Sequence, residues 1–204
     1  MTSDTTHPHY PAAMAQLDSV GSTLAKAASD LLATEGPAAL TVRRIAAAAG
    51  VSTMNVYSRF GGKDGVVEHL FIEGFSRLGE AMSAGPATDD SIVDFRLCGL
   101  AYRRFAIEHQ TLYSVMFDRV VTDFQPSLEA QVLAGSTLQL LANRIERAMN
   151  AGMLRSADPL RTAALVWATC HGLVSLELKA VGPSAIEWPA VYDDAMSMII
   201  KGLS

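Results

Sequence analysis

Glycines at 36, 50, 61 and 62 cut residues 36–62 into pieces too short to fold alone. Between them lie runs of good helix formers, so the sequence predicts two helices of about two turns each. Thr41 is placed to cap the first, over 42–49, and Gly50 ends it. Ser52 or Thr53 caps the second, which runs to Phe60 before Gly61-Gly62 breaks it. Helices this short are marginal in water and must be held by packing. Ile45, Ala46 and Ala49 suit one contact face. Val51 can plug the angle between the helices, and Val56 and Phe60, four apart, can face a core. Two short helices joined by a glycine-containing turn make a helix-turn-helix. Thr53, Met54, Asn55, Tyr57, Ser58 and Arg59 are left on the other faces of the second helix, where such a helix meets bases and phosphates.

Charge points the same way. The chain is acidic, at −5, yet from Gly36 to Lys63 its charged residues are Arg43, Arg44, Arg59 and Lys63, or +4. The other 12 basic and 21 acidic residues leave the remainder at −9. A short basic run on an otherwise acidic molecule is either a solvated face or the electrostatic footprint of a nucleic-acid binder.

The rest of the chain reads as helix throughout. Half the residues are hydrophobic and only 7% aromatic, and no alternating strand-like runs or internal repeats occur. The predicted helices span 15–34, 42–49, 52–60, 63–83, 91–109, 111–120, 126–151, 158–181 and 187–203, with Pro126 opening the seventh. Residues 1–14 read as a disordered arm, 15–65 as the helix-turn-helix domain and 66–204 as a second helical domain. The expected fold is all-α with about nine helices.

The run "LTVRRIAAAAGVSTMNVYSRFGGKDGVV" resembles the DNA-binding domain of TetR-type (tetracycline-repressor-like) transcriptional regulators. Thr41, Ile45, Ala46, Ala49, Gly50, Val51, Ser52, Tyr57, Phe60 and Lys63 stand at that family's pattern positions. The resemblance implies phosphate contacts from Thr41, Arg43 or Arg44, and Lys63. It implies base contacts from Thr53, Met54 and Asn55, with Tyr57 on a phosphate or a thymine methyl. Met54 stands where the family often has Gly or Pro, and Ser58 where it often has His. Asn55 suits adenine and Met54 suits thymine methyls, so A·T contacts are expected to matter. A dimer neutralising about 6 to 8 phosphates would show a log–log salt slope of about −5 to −7.

Two further segments, "HQTLYSVMF" from His109 and "ALVWATCHGLVSLEL" from Ala164, resemble the H-P-x-L-Y-x-x-M-F and W-x-x-x-H-G elements of one subgroup. Gln110 replaces the usual Pro, which predicts a softer break after the fifth helix. The family implies a ligand-binding and dimerising half. Its pocket candidates here are Phe95, Tyr102, Phe105, Leu112, Tyr113, Met116, Phe117, Trp167 and His171, for a largely apolar effector. Ala164, Ala168 and Gly172 form a line of small residues that lets helices approach closely. Trp188, Val191, Tyr192, Ala195 and Ile199 form an apolar stripe. These features predict a homodimer through residues 159–181 and 187–203, matched to a palindromic operator on double-stranded DNA.

The resulting expectation is a cytoplasmic, ligand-responsive repressor that is not an enzyme and carries no cofactor or metal. The alternative is a small-molecule binding protein with only nonspecific DNA affinity. No nucleophile elbow, phosphate-binding loop or HExxH occurs. Cys98 and Cys170 sit in apolar segments as buried thiols, and no Cys/His cluster has metal-ligand spacing. The opening residues are polar, and no apolar run reaches the length of a membrane span.

Overall fold

The computed structural model describes residues 17–84 and 88–204. The predicted arm and the Gly85-Pro86 loop lie outside the described residues. Nine α-helices and no strand occur among the described residues: α1 Ser19–Glu35, α2 Val42–Ala48, α3 Thr53–Phe60, α4 Lys63–Ser83, α5 Ser91–Glu108, α6 Gln110–Phe117, α7 Leu128–Asn150, α8 Pro159–Leu178 and α9 Trp188–Leu203. No helix among the described residues is long and apolar enough to cross a membrane.

Caps set several boundaries differently from the apolar pattern. The pattern places the start of the first helix at residue 15, but Asp18 is extended and its carboxylate accepts the Gly21 N–H at 2.7 Å, so α1 starts at Ser19. Pro126 does not open α7, because the Ser127 hydroxyl accepts the Ala130 N–H and takes the capping position itself. Gln110 predicts a soft break, yet the chain turns at His109 (φ −125°, ψ 49°) without a proline. Asp90 and Asp158 cap α5 and α8 by accepting pairs of backbone N–H groups.

The described residues divide into two compact units, those within Met1–Gly74 and Ser114–Leu133 and those within Phe75–Tyr113 and Ala134–Ser204. In the first, α1 packs on α2 and α3 around Leu24, Ala28, Ile45 and Val56, all essentially sealed from water. Gly50 and Gly61 turn the chain between helices at φ of 68° and 71°, a conformation that strains any side chain. In the second unit α5 packs on α8 and α9 around Phe95, Val174 and Met196. Cys98 and Cys170 are buried and unbridged, and burial pushes the Cys98 thiol up to about 12.

Candidate nucleic-acid interface and small-molecule site

Helix α3 has one buried face and one bare one. Val56 is sealed in the core, while Thr53, Met54, Tyr57 and Ser58 are exposed. Met54 is 70% exposed and Tyr57 55%. Both side chains are therefore available for contact. The Thr41 hydroxyl accepts the Arg44 N–H at 3.3 Å and starts α2. Arg43 and Arg44 are exposed there, with Arg44 paired to Glu35 at 2.6 Å. Lys63, at the first position of α4, lies 3.8 Å from Asp64.

Arg59 is not splayed outward with the others. Its Nε and Nη2 donate to both oxygens of Asp18 at 2.6 to 3.1 Å. Its Nη1 donates to Asn55 Oδ1 at 2.9 Å and to Ser58 Oγ at 3.3 Å. Asn55 Nδ2 in turn donates to Ser52 Oγ at 3.1 Å. The Arg59 guanidinium and the Gly21 N–H hold the Asp18 carboxyl down at about 2, and Asp18 raises Arg59 in return.

The pocket candidates do not come together as one set. In the second unit Tyr102, Tyr113 and His171 converge. The Tyr113 hydroxyl lies 2.7 Å from His171 Nδ1, the Tyr102 hydroxyl 3.1 Å from the same nitrogen, and the two hydroxyls 3.2 Å apart. Tyr113 stacks on the imidazole at 5.6 Å, and Trp167 tilts against it at 5.8 Å. Burial pushes the Tyr102 phenol far up, so it stays a donor at any working pH. Which partner donates at His171 Nδ1 is set by the imidazole tautomer. Phe95, Phe105 and Leu112 are buried in the same unit, and Phe105 lies against the His109 ring at 5.1 Å.

Met116 instead lines a cavity of about 350 Å³ in the first unit, with Val67, Phe71, Val115, Val121 and Phe124. Phe117, next in sequence, is half-buried. The cavity wall is latched where Glu68 accepts the Ser127 N–H at 3.2 Å. Arg119 stands at the cavity with a left-handed backbone (φ 48°). The cavity volume is in the range of small-ligand pockets.

Comparison with known proteins agrees with this architecture. Residues 24–70 match the profile of bacterial regulatory proteins of the tetR family, and residues 95–196 match the tetracyclin repressor-like C-terminal domain. The chain belongs to the TetR family. It is a TetR-type, DNA-binding transcriptional regulator. A protein of unknown function from Rhodococcus sp. RHA1 superposes with a TM-score of 0.81 at 23% identity, over 93% of this chain and 97% of that one. The fatty acid degradation regulator FadR from Bacillus halodurans gives 0.75 at 18% identity, over 91% and 96%. The TetR family regulator PfmR from Thermus thermophilus gives 0.71 at 19%, over 89% and 98%. At these identities the likeness is one of fold. No curated protein matches the chain significantly.

Within this TetR-family chain, sequence reasoning missed Asp18 and Arg119. Asp18 falls at a helical position in the apolar pattern, and only its capping preference ahead of Ser19 signals a boundary. Arg119 follows an apolar run in the sequence, and nothing there marks the cavity beside it. Tyr192 falls on the apolar stripe of α9 that the sequence assigns to a partner. It is 1% exposed, and its hydroxyl donates to the Gly99 carbonyl at 2.7 Å, so it belongs to the core of the second unit.

Proposed function

We propose that the protein is a homodimeric repressor, released from a palindromic operator by a small molecule. The observation that carries the DNA part is the bare, mixed face of α3, with Thr53, Met54, Tyr57 and Ser58 exposed beside a basic α2 and Lys63. Such a face fits a major groove, with Thr41, Arg43, Arg44 and Lys63 as its phosphate contacts. The DNA-binding domain then spans 15–65, and a ligand-binding, dimerising domain spans 66–204.

Support for the dimer comes from α8 and α9. Leu160, Leu165, Leu176, Val191 and Met198 are exposed, with Ala164 and Ala168 bare between them. A two-fold partner would cover this surface, and such symmetry suits an inverted-repeat operator. Ligand response is supported by the Tyr102–Tyr113–His171 cluster and by the cavity that Met116 lines. The cavity sets Val67, Phe71, Val115 and Phe124 beside Arg119, Gln125 and Gln131, as an effector with an apolar body and a polar end requires. Because linkage is reciprocal, operator and effector must weaken each other's binding by the same factor.

Selection of bound sequences from a random duplex pool near 0.15 M salt tests the reading. An enriched inverted repeat, with half-sites about 34 to 36 Å apart, is expected. Retention without any motif, persisting after the protein is unfolded, stripped of bound molecules and refolded, would overturn it.

A further inference from the structure

We infer that Asp18 sets the base-reading orientation of Asn55 through Arg59, and at the same time withholds the Arg59 charge from the DNA backbone. The inference rests on the proposed DNA readout and assigns a positioning residue within it.

The chain of contacts runs from the first cap of the fold to the middle of the recognition helix. The Asp18 carboxylate grips Arg59 through three hydrogen bonds of 2.6, 2.8 and 3.1 Å. Arg59 then presents Nη1 to Asn55 Oδ1 at 2.9 Å, and Asn55 Nδ2 reaches Ser52 Oγ at 3.1 Å. A serine hydroxyl can accept or donate, so Ser52 would tolerate either end of the amide. A guanidinium only donates, so it demands the oxygen. Arg59 therefore decides which way the Asn55 amide points, and Asp18 decides where Arg59 points. One N–H and one lone pair of the amide remain uncommitted. These are the two groups that a bidentate contact to adenine N7 and N6–H uses.

Stability does not account for this arrangement. Asp18 and Arg59 side chains are 55% and 25% exposed, and pairs at such a surface contribute little to folding. The cap on α1 needs only one oxygen at this position, which Ser or Asn supplies equally well. What the carboxylate adds over those residues is the second oxygen and the charge, both directed at Arg59. The consequence for affinity has the opposite sign to that for selectivity. An Arg59 neutralised by Asp18 releases no counterion from a phosphate, whereas a liberated Arg59 on the last turn of α3 would.

The test is Asp18→Ser in the full-length protein, which keeps the α1 cap and cannot reach the guanidinium. Sequence selection and salt-dependent binding to selected and scrambled duplexes are measured beside the wild type. Three results are expected of Asp18→Ser. Preference for adenine at the position read by Asn55 falls about tenfold or more. Affinity for scrambled duplex rises. The log–log salt slope steepens by about 0.9 per protomer, or about 2 per dimer. Asn55→Ala should lose the same preference without the change in slope, and the double variant should lose no more preference than either alone. An unchanged profile and slope in Asp18→Ser would overturn the inference. So would a uniform loss of binding accompanied by a lower Tm, which would leave Asp18 as a helix cap alone. A wild-type protein that enriches no motif fails earlier, at the DNA reading itself, and is distinguished by that.

Discussion

The outer faces of α3 and α8 are both bare and chemically opposite. Helix α3 offers hydroxyls, an amide, a methionine and a tyrosine on eight residues. Helix α8 offers leucines and alanines on twenty, with Leu165 63% exposed. A short helix has few internal bonds and holds its aim only through its supports. A long one buries Thr162, Ala163, Val166, Cys170 and Val174 along its inner side and presents a broad, forgiving surface. Readout by α3 should therefore fail abruptly when a support moves, whereas association through α8 should weaken in proportion to what is changed on its surface.

The sharpest break falls on the support of α3. A Cβ placed on Gly65 would lie 1.7 Å from the Phe60 carbonyl oxygen, which is backbone and cannot step aside. Gly65→Ala should cost about 3 kcal/mol or more and abolish operator binding, visible as a lowered Tm and an unshifted duplex in electrophoresis. A wild-type Tm would show that the start of α4 has slack. Next is Leu165→Glu on α8, expected to cost about 2 kcal/mol of dimer affinity, roughly 30-fold, by sedimentation. An unchanged dimer would remove α8 from the interface.

Asp94 gives a comparable effect within the second unit. Its carboxylate, 3% exposed, accepts the Thr88 N–H and hydroxyl and pairs with Arg147 at 2.5 Å. Asp94→Ala should cost about 2 kcal/mol, measured by urea unfolding. Burial raises the carboxyl, but the Thr88 and Arg147 contacts outweigh it, so the folded group titrates below its ordinary value. Its contribution is present above about pH 4 and is lost as pH falls through the lowered value. Stability should be flat near neutrality with respect to this group and fall below about pH 4. A loss centred at about pH 6 would implicate histidine instead. The smallest effect concerns Cys98, whose thiol is pushed up to about 12. A thiol reagent should label it only as fast as the protein opens, and rapid labelling in the native state would show the α5 core to be loose.

The helices were legible because the glycines and the apolar spacing mark them, and α3 ends at Phe60 as the sequence predicts. The outward face of α3 was legible for the same reason: with Val56 inward, Met54 and Tyr57 stand exposed. Caps were less legible, since Asp18 and Ser127 compete with the apolar pattern by hydrogen bonding locally, and the pattern carries no record of that. The ligand side was least legible. Met116 and Tyr113 are three apart on one helix, yet Met116 lines the cavity of one unit and Tyr113 joins the polar cluster of the other. No periodicity argument separates neighbours on a single turn. Tyr192 was misplaced because an apolar stripe does not say whether its tyrosine faces a partner or its own core.

The contact between Trp167 and His171 makes the protein its own optical probe. Both tryptophans, Trp167 and Trp188, lie on α8 and α9, and α1, α2 and α3 hold none. With the two rings 5.8 Å apart, any event that moves the His171 ring changes the surroundings, and so the emission, of Trp167. Emission from Trp167 therefore reports on the Tyr102–Tyr113–His171 cluster, while α1, α2 and α3 carry no indole.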